Sequence, residues 1–301
     1  IGTAPEASYM LFRTEDSSSE TLIEEDNWVA AAEYADSAGA DIINSSLGYT
    51  ILYDDLLNSH SYADMDGNST IVTNAADLAA SRGILVVNSA GNSGNNDWYY
   101  IGAPADGDSV LSVGAVNSFG DIASFSSRGP SYDGRVKPNI CAQGVAAVVA
   151  DLDSTIRFAN GTSFSAPIIA GLSACLWSSD ATLNNMELLN LIESSAHLFL
   201  NPNDSLGYGI PNFYTAYLNN LNIDSHDSFL NIYPNPFQET LSIYHNQETT
   251  LKFDVFNLSG VIIFSGEVNT FLRISELSGF QSGVYILKIK DQDIFYPIIK
   301  I

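Results

Sequence analysis

The sequence predicts an α/β protein, a parallel sheet with helices on both faces, followed by a small antiparallel β-sandwich. Three observations carry this. Up to about residue 220, short apolar runs of strand length alternate with stretches of helical period. Beyond that, several short alternating runs are separated by Gly- and Asn-containing turns. Between the two the charge breaks: residues 1–228 hold 28 acids and 6 bases, whereas 229–301 hold 7 and 5.

In chain order, Ser8 to Arg13 reads as a strand and residues 15–26 as an acidic loop. Asn27 to Ala38 reads as a helix with Trp28, Ala31, Ala32 and Ala35 on one face. Asp41 to Ser45 is a short buried strand, Ile71 to Arg82 a helix stopped by Gly83, and Ile84 to Asn88 and Val110 to Val116 are further buried strands. Gly161 to Pro167 runs without a break into Ile168 to Trp177, a small-residue turn opening an apolar helix of about four turns. Pro167 is placed in its first turn, where the missing N–H costs nothing, and Ser163 at its N-terminus; a plain cap by Thr162 or Ser163 is the simplest reading. Glu187 to His197 reads as a helix with His197 a surface or packing residue. The first domain is bounded at 1–220, with a polar linker at 221–228 whose polar character begins at 219, and a second domain at 229–301. Its strands are expected at Thr240–Tyr244, Leu251–Phe256, Val261–Ser265, Val284–Lys290 and Ile294–Ile301.

Hydrophobic residues make up 46% of 301, so the chain can bury a substantial core. A net charge of −24 argues against nucleic acid and anionic membrane surfaces as partners. No apolar run reaches the length of a membrane span. Cys141 and Cys175 lie in apolar runs and read as buried free thiols.

In a parallel sheet, ligands bind beyond the carboxyl ends of the strands, and Ser46-Leu47-Gly48 and Ser89-Ala90-Gly91-Asn92 sit at such ends. Alone, Asn92 is an ordinary turn residue. Seven short motifs nonetheless occur in a fixed order: Gly2-Thr3-Ala4-Pro5, Ser46-Leu47-Gly48, Ala90-Gly91-Asn92, Val113 to Val116, Phe125 to Gly129, Lys137-Pro138-Asn139 and Gly161-Thr162-Ser163. Together they resemble the subtilisin-like serine peptidases over residues 1 to about 218. The Gly-x-Ser-x-Gly elbow of α/β-hydrolases does not fit, since residue 165 is Ser.

The resemblance implies that Ser163 is the nucleophile and that the Asn92 amide and the Ser163 N–H receive the oxyanion. It also implies that Ser46, Leu47, Gly48, Ser89, Ala90 and Gly91 wall the primary specificity pocket, offering backbone groups to an extended peptide. Gly102 falls at its floor, which suggests a roomy, apolar-accepting site. The family's Asp-Ser/Thr-Gly and His-Gly-Thr motifs are missing, and His60, His197, His226 and His245 have neither context. The expectation is therefore a subtilisin-like fold whose N-terminal part, with the catalytic Asp and His, lies outside this sequence, inactive by itself. The other reading is a non-catalytic surface protein that keeps the fold for peptide binding. No cofactor is needed for this chemistry. Asp64, Asp66 and Asn68 alternate like a calcium loop and are candidate ligands of a structural calcium, but the Gly is at the fourth position and Ala75 replaces the bidentate Glu. A solvated acidic turn is the competing reading.

In the second domain Tyr233-Pro234-Asn235-Pro236, Asn257-Leu258-Ser259-Gly260, Gly283-Val284-Tyr285 and the late Lys300 resemble the C-terminal sorting domain of the type IX secretion system. This implies a secreted or cell-surface monomer, with peptide substrates and the secretion machinery as partners. A generic adhesive or carbohydrate-binding module is the alternative.

Overall fold

The computed structural model describes residues 2–52, 54–151, 155–221, 230–245, 249–290 and 295–301. The chain divides into two compact units, 1–221 and 222–301.

The first unit is built on a four-stranded parallel sheet of order β1 (Ile42–Ser45), β2 (Leu85–Ser89), β3 (Val110–Val116) and β4 (Ile140–Gln143). Successive side chains of a strand point to opposite faces, and the two buried clusters follow that alternation. Leu85, Val87, Leu111, Val113, Ile140 and Ala142 pack under α3 (Thr162–Ser179), α4 (Asn185–Ser194) and α5 (Phe213–Asn220). Val86 and Val110 face the other way, onto Trp28 and Ala32 of α1 (Ile23–Ser37) and Val72 and Ala76 of α2 (Ile71–Ser81). A two-stranded antiparallel ribbon, β5 (Ala147–Ala150) and β6 (Ile156–Ala159), leads into α3.

Several expectations are corrected. Residues 8–13 form no strand: Tyr9 and Leu11 are 67% and 91% exposed. Alternation alone does not make a strand without a ladder to join, and among the described residues β1 pairs only with β2. Helix α1 starts at Ile23 rather than Asn27, taking in acids that read as loop. Glu24 and Glu25 among them are buried and bonded. Glu24 accepts from the Asp16 N–H at 2.9 Å, and Glu25 accepts from the Val72 N–H at 3.2 Å and from His60 Nε2 at 2.5 Å. Cys175 is exposed on α3, its Sγ 3.3 Å from the Thr3 carbonyl, whereas Cys141 is buried and burial pushes its thiol up to about 12. Helix α4 ends at Ser194, so His197 lies beyond it, where its Nδ1 accepts the Ile210 N–H at 2.9 Å. Residues 219 and 220 close α5 instead of opening the linker, and residues 222–229, His226 among them, lie outside the described residues.

The His60–Glu25 pair carries a pH signature. Its hydrogen bond raises the imidazole above its ordinary 6.5, against the opposing pull of burial. A raised folded-state value gives stability that is complete below the unfolded pKa and is lost as pH rises through the folded one. The melting temperature of the first unit should therefore fall above pH about 6.5 relative to His60→Gln. Parallel curves for the two proteins would show that the pair contributes nothing.

The second unit consists of two antiparallel sheets. One has the order β10 (Ile262–Val268), β9 (Leu251–Asn257), β12 (Gly283–Ile289), β13 (Phe295–Lys300); the other has β11 (Phe271–Ile274), β8 (Leu241–His245), β7 (Leu230–Tyr233). Their inner residues Leu241, Ile243, Phe253, Val255, Leu287 and Ile298 share one core. This is the layered packing expected of a sandwich. Strand β11, framed by the turn at 269–270, adds to the strands legible in the sequence.

Candidate active site

Strands β1 and β2 end at Ser45 and Ser89, and the chain beyond both ends meets the start of α3. Gly161 precedes that helix at φ +150°, outside the range that L side chains favour, with its N–H on the Gly144 carbonyl at 2.8 Å. Thr162 is the first helical residue and is fully buried. The helix has no side-chain cap of its own, so neither Thr162 nor Ser163 caps it.

Asn92 supplies what the helix lacks. Its Oδ1 accepts from the Thr162 N–H at 2.9 Å and from the Thr162 hydroxyl at 3.1 Å, and that hydroxyl in turn accepts the Gly91 N–H at 3.2 Å. Two donors on one oxygen fix which way the amide points. The Nδ2 end lies 3.7 Å from where a Cβ on Gly161 would stand. Among the described residues neither Asn92 Nδ2 nor the Ser163 N–H has a partner, so two donors stand at a helix N-terminus, a position that favours negative charge.

Ser163 and Ser46 form a reciprocal pair. The Ser163 hydroxyl donates to the Ser46 carbonyl at 3.4 Å, and the Ser46 hydroxyl donates to the Ser163 carbonyl at 3.1 Å. The second bond has a cause in the sequence. Pro167 is the sixth residue of α3, not within its first turn as expected, and lacks the N–H that would meet the carbonyl four residues back. That carbonyl is Ser163's, and Ser46 takes it over.

The expected pocket walls are all nearby, but they are built differently. Asn88, fully buried at the end of an apolar strand, donates through Nδ2 to the Leu47 carbonyl at 3.0 Å and to the Ser89 carbonyl at 2.8 Å. The Ala90 N–H is bonded to Val113 at 2.9 Å, and the Gly91 carbonyl accepts the Ser127 N–H at 2.9 Å. The Ser89 and Gly91 carbonyls and the Ala90 and Gly91 N–H groups of the 89–91 segment thus bond within the protein. Gly48 is exposed, and Tyr49 exchanges two backbone bonds with Ala103, which seats Gly102 against Tyr49 and Thr50.

No described imidazole of the first unit reaches Ser163: His60 is on Glu25 and His197 on Ile210. Asp64 and Asp66 each hold local bonds to a neighbouring serine. Asp64 accepts from the N–H and hydroxyl of Ser61 at 2.7 and 2.8 Å, and Asp66 from the N–H and hydroxyl of Ser69 at 2.8 and 2.9 Å. The Asn68 side chain turns back to the Asp66 carbonyl at 3.3 Å. The positive charge beside this turn is Arg135, which bridges to Asp108 at 2.9 Å and Asp133 at 2.6 Å and packs against Gly67. A calcium ion here would have to displace these local bonds.

Sequence reasoning missed Thr162 as the group that orients Asn92, and Asn88 as the support of the wall. Asn88 had a signal: a polar residue closing an otherwise apolar strand. It also left Lys137 and Asn139 as bare motif matches. Lys137 is 1% exposed and donates to the carbonyls of Gly107 and Val110 and to Asn139 Oδ1, while Asn139 Nδ2 donates to Glu193 at 2.6 Å.

Residues 1–209 match the family model described as the subtilase family. This chain belongs to that family. It is 32% identical over 218 residues to Subtilisin E of Bacillus subtilis, covering 72% of this chain and 50% of the relative. With Subtilisin DY of Bacillus licheniformis it shares 36% identity over 182 residues, 60% of this chain and 57% of the relative. The subtilase chain thus spans little more than half the length of these curated relatives. Among solved structures, the self-cleaved protease domain of PatA aligns with a TM-score of 0.52 at 27% identity, covering 64% of this chain and 67% of that one. Residues 231–299 match the secretion system C-terminal sorting domain, which marks a protein for export and attachment at the cell surface. Among the described residues no helix is long and apolar enough to cross a membrane.

Proposed function

We propose that this subtilase chain is the nucleophile-bearing part of a secreted serine endopeptidase. The Ser163 Oγ attacks the scissile carbonyl and forms an acyl-enzyme, and the charge that develops on the carbonyl oxygen is received by Asn92 Nδ2 and the Ser163 N–H. What supports this most is the locked Asn92 amide, its oxygen held by Thr162, with no partner among the described residues for its Nδ2 or for the Ser163 N–H. The Ser163 proton needs a base, and the described imidazoles are committed elsewhere. We assign that role to a family Asp–His pair outside this sequence. The same observation favours the second reading, a peptide-binding surface protein with no catalysis.

One experiment separates them. The chain alone should cleave a fluorogenic peptide no faster than Ser163→Ala. Joined to the Asp- and His-bearing segment of Subtilisin E it should cleave, and Ser163→Ala should abolish that. A folded, joined protein that binds peptide without cleaving it would favour the second reading. Cleavage by the unaided chain that depends on Ser163 would mean a base closer to hand.

The second unit is assigned to type IX export, with the protein acting as a monomer. Removing residues 222–301 should retain the protein inside the cell while leaving the melting temperature of the first unit unchanged. Undiminished secretion of the shortened protein would refute the assignment, and a dimer in sedimentation would refute the monomer.

A further inference from the structure

A row of four polar residues crosses the parallel sheet at one level. Ser45 pairs in register with Asn88, and Asn88 with Ser112. Asn139, just before β4, continues the row: its N–H donates to the Ser112 carbonyl at 2.9 Å, and its Oδ1 accepts the Ser112 N–H at 2.9 Å. Register partners in a parallel sheet point to the same face, and alternation says which face. Val86 and Val110, two residues before Asn88 and Ser112, pack toward α1 and α2. The row therefore lies in an apolar layer, and Asn88 and Ser112 at its centre are both 0% exposed.

The two ends of the row are bonded. Ser45 Oγ accepts the Trp28 Nε1–H at 3.0 Å. At the other end Asn139 Oδ1 also accepts from Lys137, and its Nδ2 donates to Glu193. The centre is different. Asn88 Nδ2 donates to the Leu47 and Ser89 carbonyls, which fixes the amide so that Oδ1 is its other end. Among the described residues neither that Oδ1 nor Ser112 Oγ has a partner, so the two do not bond each other although their strands are adjacent.

We infer that Asn88 and Ser112 hold one buried water molecule between them, which accepts the Ser112 hydroxyl proton and donates to Asn88 Oδ1. Buried polar groups are almost always paired, and those that find no protein partner are the usual seat of an internal water. The chemistry is complementary: one group only accepts, and the other can donate. The span is right as well. Two hydrogen bonds through one water bridge oxygens roughly 4.5 Å apart, close to the spacing of neighbouring strands. Both groups are neutral, so the site suits water rather than an ion. The apolar cluster on this face is also built largely of small side chains, Ala76, Ala90, Ala103 and Ala105 among them. Such a water would secure the acceptor end of the Asn88 amide, while the donor end holds the chain leaving β1 and β2. The inference is independent of any role for Ser163.

Two measurements on the full chain test it. A high-resolution crystal structure should show a water within hydrogen-bond distance of both Asn88 Oδ1 and Ser112 Oγ. Oxygen-17 relaxation dispersion, which counts waters that stay longer than the protein takes to tumble, should lose one water in Ser112→Val. That variant replaces the hydroxyl with methyl groups and suits a strand. Should Ser112→Val fail to fold, the density in the native protein decides alone. A direct bond from the Ser112 hydroxyl to Asn88 Oδ1, an empty site, or equal dispersion in the two proteins would overturn the inference.

Discussion

Asn92→Asp, placed in the chain joined to an Asp- and His-bearing segment, is expected to lower turnover by about 10²–10³ while leaving the melting temperature nearly unchanged. That magnitude is the one known for a subtilisin that loses such a donor and is not calculated from these distances. The substitution separates two jobs done by one side chain. The Oδ1 side holds the Thr162 N–H and hydroxyl at 2.9 and 3.1 Å, and a carboxylate oxygen can accept both. Among the described residues the Nδ2 side has no partner, and in the proposed mechanism it is the side that meets the oxyanion. Aspartate keeps the first job and removes the second. Asn92→Ala removes both, leaving the first N–H of a helix unpaired, and should cost a further 1–2 kcal/mol or so of stability. Turnover and thermal melting of the two variants, measured together, check this. A loss under tenfold in both would remove Asn92 from the reaction.

Lys137→Ala is expected to give the largest loss of stability, about 3–5 kcal/mol in the unfolding of the first unit. The ammonium is 1% exposed and donates at 2.7, 2.9 and 3.0 Å to the carbonyls of Gly107 and Val110 and to Asn139 Oδ1. Removing it takes a charged donor from three acceptors, although Asn139 Oδ1 keeps the Ser112 N–H at 2.9 Å, and it leaves a cavity beside Asn139, whose other end holds the Glu193 carboxylate on α4. Burial, aided by the nearby Arg135 charge, pushes the lysine down from 10.5 to about 8. The unfolded chain therefore binds more protons between about pH 8 and 10.5, and stability rises with pH across that window. Urea unfolding at both ends of the window should show the native protein gaining on Lys137→Met as pH rises. A flat difference, or a loss below 1 kcal/mol for Lys137→Ala, would mean that the ammonium is not what joins these segments.

Much of the fold was legible because its signals are local. The runs at 84–88 and 110–116 are apolar on both faces, as a strand covered by helices must be, and they appear as β2 and β3. Ile71 to Arg82 carries its own cap in Thr70 and its own stop in Gly83, and appears as α2. The errors came where a distant partner decides. The acids of residues 24–25 read as loop because their burial depends on His60 and Val72, which are remote in sequence. Residues 8–13 have strand composition, but a strand exists only when another strand pairs with it.

By itself, the sequence determined that this is a parallel α/β domain of the subtilase family followed by a β-sandwich, and that Asn92 meets the start of the helix that carries Ser163. Periodicity, turn residues and short ordered motifs are written along the chain and need no third dimension. The tertiary structure alone decided that Thr162 turns the Asn92 amide, that Ser46 takes over the carbonyl orphaned by Pro167, and that Thr50 fills the space beside Gly102. Each is a contact between segments tens of residues apart, set by how the sheet brings strand ends together. Hydrogen-bond direction and free volume are properties of such meetings, and no local pattern in either segment encodes them.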